Sequence, residues 1–256
     1  MELVGAAVTD KGIKKNINQD SVAIKVARTS NGTAAMIILC DGMGGLSKGE
    51  MASATVLLEF SDWFEQRFPK LMQNNIGNQR IKNEWKRMVQ NLNEQIKSYG
   101  ERKGIKLGTT LTAMLLYDTK FCIVHVGDTR AYKINDTSIK MLTKDHTFIA
   151  QEIEEGRMTE EQAKTDSRKN MLLQCIGASE YVEPEFHEGD IEDDSVYMIC
   201  SDGFRHEISE DEIIAYLKPA ELQNSEKART QIKKLININK RRKEKDNISA
   251  VVIRKV

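Results

Sequence analysis

The sequence predicts an α+β fold in which antiparallel sheets are covered by helices. Two observations lead to this prediction. Short apolar runs with β-branched residues recur along the chain, and the stretches with helical periodicity do not alternate with them one by one. Strands come first, then two helices, a group of strands, a charged segment, and again strands and helices before a last strand. A doubly wound parallel sheet is therefore not expected, because it needs regular alternation of strands and helices.

Each predicted element rests on a local pattern. The predicted strands are apolar runs bounded by turn residues, and they cover 3–9, 22–27, 34–40, 109–117, 121–126, 130–134, 138–142, 181–187, 195–201 and 247–254. The predicted helices have apolar residues at helical spacing, and they cover 47–68, 78–101, 209–218 and 223–239. Pro69 is expected to stop the first helix, because proline cannot donate a helical hydrogen bond. Short polar turns join the strands of 109–142, which predicts one antiparallel meander.

Length and composition indicate one domain over 1–256. The chain has 256 residues, three prolines and no low-complexity segment, which a single large domain accommodates. Residues 144–180 are rich in charge and contain short helical stretches, so we interpret them as a flap on the core. The formal net charge is zero, so the whole molecule has no electrostatic bias toward nucleic acid or an acidic membrane.

The cysteines and the apolar runs indicate where in the cell the protein is expected. No apolar run approaches the roughly 20 residues that a membrane helix needs, and the N-terminus lacks the basic region of a signal peptide. Cys40, Cys122 and Cys200 lie within apolar runs, and no Cys-x-x-Cys occurs, so buried thiols are expected instead of zinc or redox motifs. We expect a cytoplasmic protein that does not associate with a membrane.

Five aspartates stand where hydrophobic runs begin or end. They are Asp20, Asp41, Asp128, Asp202 and Asp246. A carboxylate costs several kcal/mol to hold near a core unless its charge is compensated. Several carboxylates that converge at strand ends are best compensated by a metal ion, so the sequence predicts a metal-centred active site.

The ligand chemistry favours a hard cation. Oxygen ligands suit Mg²⁺ or Mn²⁺, and the four histidines show no zinc-binding spacing. Two ions that share a bridging carboxylate can activate water for attack on phosphorus. Asp41 is the natural candidate for this bridge. Gly42, which follows it, allows a sharp turn and can offer its carbonyl as a ligand.

Short motifs run through the chain in a fixed order. They are KNINQDS at 15–21, DGMGG at 41–45, GEMAS at 49–53, GTT at 108–110, VGDTR at 126–130, TKDHT at 143–147, SDG at 201–203 and DNIS at 246–249. This series resembles the metal-dependent serine/threonine phosphatases of the protein phosphatase 2C family, bacterial branch. The resemblance covers about residues 3–254 and implies two antiparallel sheets packed as a sandwich, with helices on both outer faces in four α-β-β-α layers and a flap at 144–180.

The resemblance also implies roles for the aspartates. Asp41 would bridge two Mn²⁺ or Mg²⁺ ions, with the Gly42 carbonyl on one of them. Asp202 and Asp246 would complete the shell of one ion, and Asp20 would help to position the other. Asp41 and Asp202 are thus the expected catalytic residues.

A third, weaker metal is implied at Asp128, with Asp202 shared. Lys15 stands where the family usually has an arginine that grips the substrate phosphate, so it keeps the charge and loses the bidentate fork. Met43 stands where many eukaryotic members have histidine, as is common in the bacterial branch. His146 is interpreted as a structural residue at the base of the flap.

The function implied is hydrolysis of phosphoserine and phosphothreonine on proteins by a metal-activated water, in opposition to a cognate serine/threonine kinase. A monomer is expected, with no nucleic-acid partner. Two alternatives stay open. A pseudophosphatase or regulatory binding module is suggested by Lys15 alone. A phosphoesterase that acts on nucleotides or nucleic acid is suggested by the basic cluster 240–243, which we interpret as a solvated helix end.

Overall fold

The computed structural model describes residues 2–29, 32–43, 48–73 and 77–256. The strands are β1 (Leu3–Asp10), β2 (Ser21–Thr29), β3 (Gly32–Cys40), β4 (Leu111–Tyr117), β5 (Lys120–Val126), β6 (Arg130–Ile134), β7 (Ile139–Met141), β8 (Glu185–Asp190), β9 (Val196–Cys200) and β10 (Ile248–Lys255). The helices are α1 (Gly49–Asp62), α2 (Phe68–Gln73), α3 (Asn78–Lys103), α4 (Phe148–Glu154), α5 (Glu160–Thr165), α6 (Asp202–Arg205), α7 (Glu210–Leu217) and α8 (Ser225–Arg241). A π-helical turn spans Trp63–Arg67, and a 3-10 turn spans Pro219–Glu221.

The strands form two five-stranded antiparallel sheets. The first sheet has the order β1-β10-β9-β6-β7 and the second β2-β3-β4-β5-β8. Alternate residues of each strand point between the sheets, so Ile37 and Leu39 of β3 pack in one cluster with Ile199 of β9 and Val251 of β10. The sheets are therefore packed face to face, which confirms the predicted sandwich.

Helices cover the outer face of each sheet. Met36 and Ile38, which alternate with the inward residues of β3, pack with Phe60 of α1 and Trp85 of α3. On the other side, α7 and α8 cover the first sheet, and Leu235 of α8 is fully buried there. Each such buried side chain contributes roughly 1.5–3 kcal/mol through removal from water. The predicted four α-β-β-α layers are confirmed, and they give the site a rigid platform.

The prediction that Pro69 stops the first helix was wrong. The helical path continues from α1 through the π-helical turn into α2, and Pro69 is the second residue of α2. Proline lacks an amide hydrogen and its ring clashes with the carbonyl four residues earlier. The wider π turn directly before it replaces the usual hydrogen-bond pattern, so the chain keeps its helical course. Residues 44–47, which include Gly44 and Gly45 of the predicted turn before α1, lie outside the described residues.

The prediction of one continuous meander over 109–142 was also wrong. The hairpin of β4 and β5 belongs to the second sheet, whereas β6 and β7 belong to the first. The chain crosses between the sheets at Gly127, which has a φ of +108° and a backbone so close to Thr110 that a Cβ would lie 2.5 Å from its Cγ2 atom. This crossing brings Asp128, the next residue, to the place where the strand ends of both sheets meet.

The flap segment 144–180 contains α4 and α5. Within the flap, Thr147 forms an isolated bridge with Leu172, and Ile176 joins the flap to the core through an isolated bridge with Thr109. All four cysteines are buried and unpaired, as expected for Cys40, Cys122 and Cys200. In the described part of the chain, no helix has the length and apolar character to span a membrane.

Candidate metal centre

All five predicted aspartates lie at strand boundaries on the same edge of the sandwich. Asp41 follows β3, Asp128 follows β5, and Asp202 follows β9 at the start of α6; Asp20 directly precedes β2, and Asp246 precedes β10 by one residue. Their proximity shows in their electrostatics. Burial raises the pKa of Asp41 well above its usual range, and the charges of the four other aspartates raise it further. The structure therefore brings together every aspartate that the sequence singled out.

The backbone around Asp41 is fixed by the strand that follows α3. The amide of Asp41 donates to the Thr110 hydroxyl at 2.9 Å, and its carbonyl accepts from the Thr110 amide and the Thr109 hydroxyl, both at 2.9 Å. At Gly42 a side chain would place its first carbon 2.5 Å from the carbonyl oxygen of Gly49. Only glycine fits this position, so the backbone here is held close to its neighbours.

Asp20 has one satisfied and one unsatisfied carboxylate oxygen. Its Oδ2 accepts a hydrogen bond from the Ser249 hydroxyl at 2.6 Å, whereas the buried Oδ1 has no partner among the described residues. Burial raises the pKa of Asp20 to about 7, the Ser249 hydrogen bond opposes this, and the charges of Asp202 and Asp246 add to it. An unpartnered oxygen in a field of negative charge is suited to bind a cation.

Asn247 fastens the loop that carries Lys15. Its Oδ1 accepts from the Gln19 amide at 2.9 Å, and its Nδ2 donates to the carbonyls of Lys11 and Ile17 at 3.0 and 3.2 Å. The DNIS motif was singled out for its aspartate, and the role of the asparagine beside it was missed. The sequence does place Asn247 directly after a predicted metal ligand. An amide side chain that is buried at such a place needs several hydrogen-bond partners, so a bonding role for Asn247 could have been expected.

Arg205 connects Asp128 to a buried ion pair that sequence reasoning missed. Its Nη2 donates to the Asp128 carbonyl at 3.2 Å and lies 3.7 Å from Oδ2 of Asp145. Arg130 holds that same carboxylate with two hydrogen bonds of 2.8 and 2.7 Å. Burial raises the pKa of Asp128 to about 7, the charge of Asp202 adds to this, and Arg205 opposes it. The guanidinium thus favours the charged form of the predicted third-metal ligand.

A second supporting pair, also missed, lies beside Asp202. His206 places Nε2 3.7 Å from Oδ2 of Asp202 and Nδ1 3.4 Å from Oε2 of Glu244. The Glu244 hydrogen bond raises the pKa of His206, and burial opposes it. Glu244 also accepts from the amides of Lys245 and Asp246 at 2.6 and 2.8 Å. This arrangement fixes the turn that presents Asp246 to the centre.

Lys15 reaches the carboxylates directly. Its Nζ lies 2.8 Å from Oδ1 of Asp246. Burial lowers the pKa of Lys15, but the hydrogen bond and charge of Asp246 outweigh it, so the pKa is raised and the ammonium stays charged. A groove of about 780 Å³ begins here and runs between the flap and the turn after α8, with Asp128, Asp202 and Asp246 in its lining. The charge predicted to grip phosphate therefore lies at the inner end of this groove.

His146 lies outside this groove, at the base of the flap. Its Nδ1 accepts from the Gly127 amide at 3.2 Å, and its own amide donates to the Gly127 carbonyl at 2.7 Å. Its ring packs against His125 with 4.8 Å between centroids. These contacts agree with the interpretation of His146 as a structural residue that orients the crossing before Asp128.

The donor chemistry of the cluster fits a hard divalent cation. Within the described residues, no three acidic, histidine or cysteine side chains already form a set that could hold a metal ion. Asp246 is paired with Lys15 and one oxygen of Asp20 with Ser249. Even so, the candidate ligands are all oxygen atoms, they repel one another, and Oδ1 of Asp20 has no other partner in the described chain. Mg²⁺ and Mn²⁺ take such ligands.

Comparison with known proteins agrees with this geometry. Residues 10–251 match the family model of protein phosphatase 2C. The chain is 28% identical over 213 residues to the serine/threonine phosphatase Stp of Listeria welshimeri, which covers 82% of this chain and 81% of that protein.

Two solved structures have the same architecture. The serine/threonine phosphatase of S. agalactiae is similar with a TM-score of 0.86 and 26% identity, over 100% of both chains. The catalytic domain of the serine threonine protein phosphatase PstP, in complex with 2 manganese ions, is similar with a TM-score of 0.78 and 27% identity, over 98% of this chain and 97% of that one. The fold, the ordered motifs and the family match lead to one conclusion: this chain belongs to the protein phosphatase 2C family.

Proposed function

We propose that this protein hydrolyses phosphoserine and phosphothreonine on proteins at a centre of two Mn²⁺ or Mg²⁺ ions, with a third, weaker ion beside them. The coarser statement, a serine/threonine protein phosphatase of the 2C type, follows from the family and its relatives. The observation that supports the finer one is the electrostatic effect of four further aspartates on buried Asp41. Three of these four, Asp128, Asp202 and Asp246, line an open groove. Bound ions would supply an activated water for attack on phosphorus.

The proposed ligands divide by position. Asp41 would bridge both ions, and the Gly42 carbonyl would bind one of them. Asp202 and Asp246 would complete the shell of one ion, and Asp20 would help to position the other. The unpartnered Oδ1 atom of Asp20 supports its assignment, and the hydrogen bonds that fix the Asp41 backbone support the bridge, because a bridging ligand must hold its place between two ions.

Asp128 and Lys15 have the remaining roles. Asp128 would hold the third ion together with Asp202, and the charge of Arg205 opposes the burial that raises the pKa of Asp128 to about 7. Lys15 orients the substrate phosphate, which its charged ammonium can approach from the groove. Its pairing with Asp246 at 2.8 Å also places that charge beside a proposed metal ligand.

The cysteines give no support to a covalent phosphoenzyme. Burial raises the pKa of the Cys122 and Cys200 thiols to about 12 and that of Cys175 to about 11. Burial also raises the pKa of the Cys40 thiol, next to the bridge. A thiolate is the nucleophilic form of cysteine, so direct attack by water is the proposed route.

We further propose that the whole chain acts as one phosphatase domain, monomeric and cytoplasmic, against phosphoproteins made by an opposing serine/threonine kinase. The flap over 144–180 would shape access to the centre, since residues of α4 and α5 line the groove. The pseudophosphatase alternative has less support, because all the proposed ligand positions are filled by aspartate or glycine.

The test is hydrolysis of phosphothreonine, phosphoserine and phosphotyrosine peptides and of nucleoside monophosphates, with Mn²⁺, with Mg²⁺ and with EDTA. We expect Mn²⁺- or Mg²⁺-dependent release of phosphate from the first two substrates, with loss of activity in EDTA. Activity that survives EDTA would overturn the metal mechanism. Metal binding without turnover of any substrate would favour the pseudophosphatase, and faster turnover of nucleotides would favour the alternative phosphoesterase.

A further inference from the structure

The structure divides the basic cluster that follows α8 into two functional groups. Lys240 pairs with a carboxylate at the end of β1 at 2.9 Å, and Arg242 pairs with a carboxylate of α7 at 2.6 Å. Lys243 and Lys245 are exposed, line the groove of the metal centre, and form no ion pair with any described residue. The cluster 240–243 is therefore not a uniform solvated helix end, because Lys243, together with Lys245 just beyond the cluster, lines the groove.

The turn that carries these two lysines is rigid. The amide of Glu244 donates to the Asn239 carbonyl at 3.1 Å, and its buried carboxylate accepts from the next two amides. Lys243 has a φ of 72°, in the left-handed region. Glycine is the usual residue at this position after a helix, and a residue with a Cβ costs roughly 1–2 kcal/mol there.

A third unpaired lysine faces the groove from the flap. Lys169 is exposed, lines the groove and forms no ion pair within the described chain. The neighbouring Arg168 pairs with Asp166 at 2.8 Å and lies 4.1 Å from the centroid of the Phe148 ring, so the turn has a defined position. We call Lys169, Lys243 and Lys245 the lysine rim. They approach the groove from two different parts of the fold.

Carboxylates in the same lining offset part of the charge of the rim. Glu160 and Glu207 also line the groove, and the three rim lysines outnumber these two glutamates. Ions at the five aspartates would remove the repulsion that the centre exerts on an acidic ligand. With ions bound, the positive charges of the rim lysines would attract carboxylates that flank the phosphorylated residue of a bound peptide.

We propose that the lysine rim selects phosphoprotein segments that carry aspartate or glutamate beside the phosphoserine or phosphothreonine. This inference rests on the proposed function. Nucleic acid is a poorer match, because single-strand binders combine a continuous basic groove with aromatic platforms. Here the formal net charge of the chain is zero, and none of the described residues that line the groove is Phe, Tyr or Trp.

The experiment compares two phosphothreonine peptides, one flanked by glutamates and one by alanines, with Mn²⁺ present. We expect kcat/KM to be about tenfold higher for the acidic peptide at low ionic strength, chiefly through KM, and the preference to shrink in 0.5 M NaCl as screening increases. In Lys243→Gly, Lys245→Gln and Lys169→Gln, the ratio of kcat/KM between the two peptides should fall about twofold each, as expected for one exposed charge contact.

Lys243→Gly removes the strain of a side chain on a left-handed backbone conformation. A thermal midpoint at or above that of the wild type would therefore show that a change in peptide preference in this variant does not come from misfolding. Lys233→Gln is the matched control, because Lys233 is exposed on α8 and does not line the groove. It should keep the wild-type ratio.

The outcomes separate the rim from the proposed function. Equal kcat/KM for both peptides, or a ratio that the three rim variants leave unchanged, would overturn the rim while phosphatase activity stands. Inhibition by a single-stranded RNA that equals inhibition by the dephosphorylated acidic peptide would also overturn it, in favour of a nucleic-acid surface. Absence of metal-dependent hydrolysis of p-nitrophenyl phosphate and of both peptides would instead overturn the proposed function, and the rim with it.

Discussion

The carboxylate centre and the lysine rim lie in one groove but are built in opposite ways. The centre consists of aspartates at strand boundaries, where backbone hydrogen bonds and close glycine contacts fix each position, as at Asp41 and Gly42. The rim consists of exposed lysines on turns, and each turn is held by its own local contacts. The strands of the sandwich position the proposed metal ligands, whereas the turns carry the lysines of the proposed rim.

The two regions also differ in their electrostatics: the charges of the centre are buried and repel one another, whereas those of the rim are exposed to solvent. Burial and mutual repulsion raise the pKa values of Asp20 and Asp128 to about 7, so the centre depends strongly on what neutralises it. The rim lysines are solvated, and each contributes a small attraction that salt screens. Substitutions in the centre should therefore have large effects on all substrates, and substitutions at the rim small effects on some.

The largest effect should follow from Asp41→Asn. The amide keeps the shape of the side chain and loses the negative charge that would bridge two ions. We expect kcat/KM on a phosphothreonine peptide to fall by at least about a thousandfold, equal to roughly 4 kcal/mol of transition-state stabilisation. Asp194→Asn is the matched control, because Asp194 is exposed and does not line the groove that Asp202 and Asp246 line. A less than tenfold loss would contradict the bridging role.

Arg205→Met should have the next largest effect, because it removes the positive charge that favours ionised Asp128. We expect a loss of about 10- to 100-fold in kcat/KM, as is usual for residues that support a metal ligand. The loss of kcat/KM should become smaller between pH 7 and pH 9, because at higher pH Asp128 is deprotonated even without the positive charge of Arg205. Arg205→Lys, which keeps the charge, should recover part of the activity. A loss that is the same at every pH would indicate a structural role only.

The stability of the protein in EDTA should report on Asp20. Its pKa is about 7 in the folded chain and about 3.9 in an unfolded one. The folded state therefore binds more protons between these values, and its free energy of unfolding should fall with rising pH by up to about 1.4 kcal/mol per pH unit. We expect Asp20→Asn to be more stable than the wild type at pH 8 in EDTA and to lose that advantage by pH 5.

The comparison between these two proteins cancels the groups that do not interact with Asp20, whereas Asp41, whose pKa the charge of Asp20 raises, changes together with it. Burial lowers the pKa of His125, which destabilises the folded state below about pH 6.5 in both proteins alike. With saturating Mn²⁺ the difference should reverse, because the wild type then gains stability from the ion and the variant gains less. Thermal midpoints measured at pH 5, 6.5 and 8 supply the test. A stability difference that does not change with pH would show that Asp20 is ionised throughout.

The sequence predicted the centre better than its surroundings, for a physical reason. Each aspartate was visible because it lies at the boundary of an apolar run, which is a local pattern. Arg205 and Glu244 were not visible, because their partners lie on other elements and no spacing connects them. The crossing at Gly127 was missed in the same way, since a short turn within one sheet and a short crossing between two sheets look alike in sequence.

The smallest effect should follow from Lys15→Arg, which tests where the centre and the rest of the groove meet. Lys15 contacts Asp246 through one nitrogen at 2.8 Å, and a single ammonium lacks the two parallel donors with which a guanidinium holds phosphate. We expect KM for a phosphothreonine peptide to fall about threefold, or roughly 0.7 kcal/mol. Lys14→Arg is the matched control, because Lys14 does not line the groove, and it should leave KM unchanged. If KM is the same in both variants, the phosphate is gripped elsewhere, and Arg205 becomes the next cation to test, because it lines the same groove beside Asp128.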